Sequence, residues 1–164
     1  MRLLTLVRHA KSSWDYEELS DFERPLNERG RRDAPLMAQR AHKLLGRPDH
    51  LVSSPALRAI TTAHVFAETM DLSLEEIALQ PRIYEATPQT LVQILRLLDD
   101  ADPHVMLFGH NPGFSQLANL LAACPFDEMP TCAVVQIALD TEHWRDTAPG
   151  QGKLRHYLFP KDGS

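Results

Sequence analysis

The chain has 164 residues, 43% of them hydrophobic and 24% charged, with a formal net charge of -5. That length fits a single domain, residues 1–164, large enough to bury a core without disulfide or metal staples. The acidic balance argues against nucleic acid or another polyanion as partner, so any anion site must be a local gathering of cations on an acidic body.

Leu3-Leu4-Thr5-Leu6-Val7 is a short apolar run that reads as a buried strand, and it empties directly into Arg8-His9-Ala10. The pair Arg8-His9 then falls at the carboxyl edge of a sheet, where open α/β folds keep their ligands. Taken alone, the same two residues read as a solvated strand end. Residues 10–26 follow as a long polar loop, and Trp14 and Phe22 within it are expected to pack on the body. Asn27 can cap a helix whose Ala34, Met37, Ala41 and Leu44 recur at helical spacing. Gly30 and Pro35 predict a kink or a frayed first turn there, and Gly46 closes it.

A strand over His50–Ser53 leads to Ser54-Pro55, which reads as a cap and first position of a second helix. Leu57, Ile60, His64 and Ala67 form its expected inward stripe, with His64 a satisfied core histidine. A further strand near Ile77–Gln80 precedes Tyr84-Glu85-Ala86. Thr87 and Pro88 then open a third helix with Leu91, Ile94, Leu95 and Leu98 on one face. Val105-Met106-Leu107-Phe108-Gly109-His110 repeats the opening pattern, an apolar strand ending in a histidine. Asn111-Pro112-Gly113 turns it into a helix with Phe114, Leu117, Leu120 and Leu121 inward. Ala133–Leu139 and Lys153–Phe159 read as an antiparallel pair at the sheet edge. The expected architecture is an α/β three-layer α/β/α sandwich, its central sheet mostly parallel with an antiparallel edge.

Two strand-end histidines, His9 and His110, would share one crevice if their strands are neighbours. They could be half of a metal site, but their companions are arginines, which repel a cation, so no metal and no other cofactor is expected. Arg58 stands in the first helical turn, where a cation costs roughly 0.3–1 kcal/mol against the helix dipole when exposed. A bound anion would offset that cost. Arg8, His9, Arg58 and His110 together compose a cationic cup suited to a phosphoryl group. A histidine in it can be the nucleophile of a covalent phosphoenzyme, with the arginines disfavouring its protonation. Cys124 and Cys132 lack metal-ligand spacing, and no membrane span or signal peptide is read; a reducing cytoplasm is the expected setting.

Leu6-Val7-Arg8-His9-Ala10, Ser53-Ser54-Pro55-x-x-Arg58-Ala59 and Gly109-His110-Asn111-Pro112 resemble the histidine phosphatase, or phosphoglycerate mutase-like, superfamily. Asp21-x-x-Arg24-Pro25-Leu26 and the short length look most like its SixA-type phosphohistidine phosphatases. The resemblance implies a phosphoglycerate mutase-like fold with His9 as phosphorylated nucleophile. Arg8, Arg58 and His110 would hold the phosphoryl group, with Arg24 and Asn111 as further phosphate contacts. Two carboxylates compete for the proton-donating role, Glu85 slightly ahead of Asp21. Ala10 departs from the glycine many members carry there. The implied activity is a metal-independent phosphatase acting on phosphohistidine of a protein, for example a phosphotransfer domain. The alternatives are a phosphatase of small phosphorylated metabolites (sugar phosphates or nucleotides) by the same mechanism, a non-catalytic phosphate-binding module and, remotely, a metallohydrolase.

Overall fold

The computed structural model describes residues 1–160. Its centre is β1 (Arg2–Arg8), flanked in parallel by β4 (His104–Gly109) on one side and antiparallel by β5 (Val134–Leu139) on the other. Beyond β4 lie β2 (His50–Ser53) and the two-residue β3 (Ala78–Leu79), both parallel. Beyond β5 lies β6 (Gly152–Leu158), antiparallel to it. The six-stranded order β3-β2-β4-β1-β5-β6 is the mostly parallel sheet with an antiparallel β5–β6 edge that the pattern of runs predicts.

Helices cover both faces. Leu4 and Leu6 of β1 point into one apolar cluster with α3 (Pro88–Arg96) and α4 (Gly113–Leu121). Val7 points into the other, with α1 (Glu28–Leu45) and α2 (Leu57–Thr69). This alternation along a strand buried on both sides explains why its sequence is continuously apolar. The register pairs Arg8 with Gly109, so the residues after β1 and β4, His9 and His110, emerge side by side.

Local details depart from expectation in four places. First, α1 runs unbroken through Pro35, held against the sheet by Ala34, Met37, Ala38 and Ala41, while Leu44 at its end is exposed. Asn27 accepts the Gly30 N–H at 2.8 Å, as its capping role predicts. Second, α2 begins at Leu57, not Pro55, with Ala56 at the cap position. Ser54 Oγ instead accepts the Ala56 N–H and lies against His110, which leaves it no part in capping the helix. Third, the buried face of α2 is Arg58, Ala59, Thr62, Ala63, Phe66 and Ala67, rotated from the expected stripe; Leu57 is exposed and His64 only half-buried. Small residues on that face let α2 pack closely, and periodicity weighted by hydrophobic size misses them. Fourth, Trp14 is 73% exposed and Phe22 39% exposed rather than packed on the body. The Arg24 guanidinium, 3.3 Å from the centroid of the Trp14 ring, and an edge contact of Phe22 with Tyr84 order them instead.

Among the described residues, no helix is long and apolar enough to cross a membrane.

Candidate active site

At the carboxyl edge of the sheet, Arg8, His9, Lys11, Ser12, Trp14, Arg24, Arg58, His110, Asn111 and Thr131 line a cleft of about 220 Å3. Six residues expected from sequence therefore meet: Arg8, His9, Arg24, Arg58, His110 and Asn111. Asp21 and Glu85 are not among those lining it.

His9 follows β1, and its backbone continues the parallel ladder by donating to Gly109 O at 3.0 Å. Its Nδ1 lies 2.7 Å from the carbonyl oxygen of Ala10. A carbonyl only accepts, so Nδ1 carries the proton and Nε2 of the neutral ring keeps a free lone pair. The pKa of His9 is lowered to about 3. Burial is the largest cause, with smaller contributions from His110, Arg58 and Arg8 against an opposing hydrogen bond to Ala10. The arginines thus act in the expected direction, but desolvation dominates.

His110 stands with its ring centroid 5.3 Å from that of His9 and its Nε2 2.7 Å from Ser54 Oγ. Its pKa is lowered to about 4, again by burial first and then by Arg58. Nδ1 of His110 is buried and has no hydrogen-bond partner among the described residues.

Each arginine donates to at least one backbone carbonyl. Arg8 donates from Nη1 to Met129 O at 2.7 Å. Asn111 donates to the same carbonyl at 2.9 Å and accepts from Ser115 Oγ, which in turn takes the Met129 N–H. The Asn111 amide is thus committed to the protein at both its atoms. Arg24 donates from Nε to Ser13 O and from Nη2 to Ser12 Oγ. Arg58 donates from Nη1 to the Asp21 carbonyl at 2.6 Å and from Nη2 to Asp21 Oδ2 at 3.0 Å.

Asp21 is the anion that offsets Arg58 at the head of α2. It sits in a short 3-10 turn, Asp21–Glu23, in the middle of the long first loop. Its carboxylate also accepts from Arg24 Nη1 at 2.8 Å and from Tyr84 OH at 2.6 Å. Partial burial pushes its pKa up, but the Tyr84 hydrogen bond and the hydrogen bond and charge of Arg58 outweigh this and hold it at about 2. Glu85 is exposed, in the left-handed region at φ 56°.

Several contributors are given no site role by the sequence. Ser54 reads as a helix cap from sequence, though its place immediately after β2 at the same edge signals the site. Tyr84, Thr131 and the Met129 carbonyl give no sequence signal, because backbone acceptors and loop positions have no residue-type signature. Ala10 is fully buried and donates its N–H to Thr62 Oγ1, so the methyl in place of glycine is absorbed by the core beside α2.

Residues 4–88 match the profile of the histidine phosphatase superfamily (branch 1). The chain belongs to that superfamily. This histidine phosphatase is 29% identical to an uncharacterized chloroplastic protein of Arabidopsis thaliana, over 97% of its own length and 78% of the relative's. A crystal structure described as a candidate phosphohistidine phosphatase SixA of Agrobacterium tumefaciens is 26% identical. It superposes with a TM-score of 0.79, covering 97% of this chain and 98% of that one. The protein histidine phosphatase SixA complexed with tungstate shares the fold at a TM-score of 0.79 and 21% identity, covering 95% and 96%. The fold is therefore that of the SixA-like histidine phosphatases, and the chain is a phosphatase.

Proposed function

We propose that this phosphatase hydrolyses phosphohistidine on a protein through a covalent intermediate on His9. The observation that carries the mechanism is the Nδ1 contact with Ala10 O, which leaves Nε2 unprotonated in a cleft that also holds Arg8, Arg58 and His110. Nε2 attacks phosphorus, the bond from phosphorus to the substrate imidazole breaks, and a phosphoryl–Nε2 bond forms. Water then displaces the phosphoryl group as inorganic phosphate and restores His9. Arg8 and Arg58 carry the charge on the non-bridging oxygens in both steps. Ser54 Oγ, which accepts from Ala56 N, lies 2.7 Å from His110 Nε2 and holds the His110 ring beside His9, where it lines the same cleft.

A phosphoimidazole protonated on its distal nitrogen departs as neutral imidazole and needs no carboxylic acid. Asp21, ionised and bound to two arginines, is a positioning residue for Arg58 and Arg24 in this reading rather than an acid. Glu85, exposed outside the cleft, is dispensable for that leaving group.

Support for a protein substrate comes from the likeness to the SixA structures and from the short chain between β3 and β4. That stretch carries α3 and two-turn-sized connections, with no inserted helical lid over the cleft. Incubation with radiolabelled phosphohistidine protein labels wild type transiently, and His9→Ala takes no label and releases no phosphate. Robust phosphate release by His9→Ala would rule the mechanism out. A catalytic efficiency on small phosphomonoesters far above that on phosphohistidine protein would instead assign a metabolite substrate to the same chemistry.

A further inference from the structure

Next to the cleft lies a second, apolar depression. Leu19, Phe22, Pro25, Pro55, Leu57 and Ile60 line a groove of about 440 Å3, with Glu23 at its edge. It abuts the catalytic residues through the chain itself. Asp21 and Arg24 flank the Phe22–Glu23 turn, and Arg58 follows Leu57, its side chain buried where that of Leu57 is 42% exposed. The groove is thus formed by the outer faces of the same two segments whose inner faces hold the phosphoryl cup.

Between Lys11 and Arg24, the loop that supplies Leu19, Phe22 and Glu23 to the groove is acidic. Residues 12–23 contain five carboxylates, Asp15, Glu17, Glu18, Asp21 and Glu23, and no cation. Asp21 is consumed by Arg24 and Arg58, and Glu23 by Ser20. Asp15, Glu17 and Glu18 are exposed and form no ion pair with any described residue. Trp14 and Tyr16, 73% and 50% exposed, alternate with them. The cup accepts one phosphoryl group, and the exposed carboxylates of the loop that also supplies Leu19 and Phe22 disfavour a partner carrying further negative charge. A surface with cations and apolar side chains around its phosphoryl group complements this face.

We propose that this groove, with Asp15, Glu17 and Glu18, is the docking face for a protein segment whose phosphohistidine is flanked by apolar and cationic residues. This deepens the phosphohistidine reading above and rests on it. The partner's apolar residue fills the groove between Phe22 and Leu57 while its phosphorylated imidazole enters the cleft. Its lysines or arginines meet the loop carboxylates.

Two synthetic peptides test this, each with one histidine phosphorylated by potassium phosphoramidate and the same leucines beside it, one flanked by lysines and the other by glutamates. Free N-phosphohistidine serves as the small substrate. Wild type is expected to favour the lysine peptide about tenfold in kcat/KM, and a Glu17→Lys/Glu18→Lys double variant to abolish or reverse that preference. Leu57→Ser is expected to raise KM for the lysine peptide about tenfold while leaving kcat/KM on free phosphohistidine within about twofold. Hydrolysis of free phosphohistidine with no preference between the peptides overturns the docking face alone. An equal loss on peptide and free phosphohistidine in Leu57→Ser does the same. A wild-type dimer split by Leu57→Ser would assign the groove to a second copy and overturn the proposal. Turnover of p-nitrophenyl phosphate with none of any phosphohistidine compound overturns it together with the reading beneath it.

Discussion

Asp21 Oδ2 receives Arg58 Nη2 at 3.0 Å, so the cation at the head of α2 already has an anion inside the protein. That carboxylate competes with a substrate oxyanion for the guanidinium, and it also fixes where the guanidinium points. Asp21→Asn keeps one acceptor oxygen and removes the charge. Inorganic phosphate is expected to inhibit Asp21→Asn at several-fold lower concentration than wild type, while kcat on phosphohistidine falls through looser Arg58 geometry. An unchanged inhibition constant would show that Asp21 and phosphate do not share Arg58. The wild-type carboxylate has a folded pKa near 2, below its ordinary value of 3.8. Its stabilisation is therefore present above pH 4 and lost as pH falls toward 2, and the melting curve of Asp21→Asn should be flatter across that window.

Neutral His9 and His110 make a separate acid dependence. Their folded pKa values, about 3 and about 4, lie below the ordinary 6.5. Between those limits the unfolded chain binds protons that the folded chain refuses, so acidification favours unfolding. The associated stability is complete above pH 6.5 and erodes below it, by on the order of 1–2 kcal/mol for each histidine at pH 5. Urea denaturation at pH 7 and pH 5, for wild type and a His9→Gln/His110→Gln variant, measures it. Nitrogen-15 imidazole NMR is expected to show His9 as the neutral Nδ1–H tautomer down to pH 5.

Ser54 reaches the chemistry only through His110. In Ser54→Ala the Nε2 partner at 2.7 Å is gone and the ring can turn. We expect kcat to fall about tenfold with KM nearly unchanged, the pattern of a positioning residue. Recovery in Ser54→Thr, which restores the hydroxyl, ties the loss to the Oγ hydrogen bonds and not to packing around the side chain.

Arg58 uses both Nη atoms in directions fixed by Asp21, and a lysine cannot reproduce that fork. Arg58→Lys and Arg58→Ala should both lose about 10²–10³ in kcat/KM. Glu85→Gln should leave phosphohistidine turnover within about twofold. A large loss there would return Glu85 to the proton-donating role.

Gly30 has no room for a side chain. A Cβ at that position would stand 2.1 Å from the Lys11 carbonyl oxygen. Gly30→Ala must therefore push the first loop off α1, and calorimetry should show a loss of about 1–3 kcal/mol. Because Lys11 and Ser12 line the cleft, phosphate affinity should fall with it.

The parts of the fold legible in the sequence are those whose signal is local. β2 spans the His50–Ser53 run as predicted, Asn27 and Thr87 cap their helices through their side chains, Pro88 takes the first helical position and Gly46 the C-terminal end of α1. The strand-end histidines are legible because a polar residue directly after a fully buried run falls at the sheet edge. What was hidden depends on partners distant in the chain. Asp21 enters as a candidate proton donor, and its part as the anion of Arg58 and Tyr84 shows only when those two distant residues are folded against it; Arg24 joins from the end of the same turn. The α2 stripe escapes a size-weighted periodicity because Ala59 and Ala63 are buried by proximity and not by size. Trp14 escapes a hydrophobic reading because its cover is an arginine.

One carbonyl oxygen, that of Met129, takes hydrogen bonds from both Arg8 and Asn111, and the Met129 amide is tied to Ser115 on α4. The connection between α4 and β5, which offers the cleft only Thr131, thereby sets the aim of a guanidinium at the end of β1. Substrate preference can drift through changes in that connection while every residue touching phosphate stays the same, and an engineer seeking altered specificity has a handle there that leaves the catalytic groups untouched.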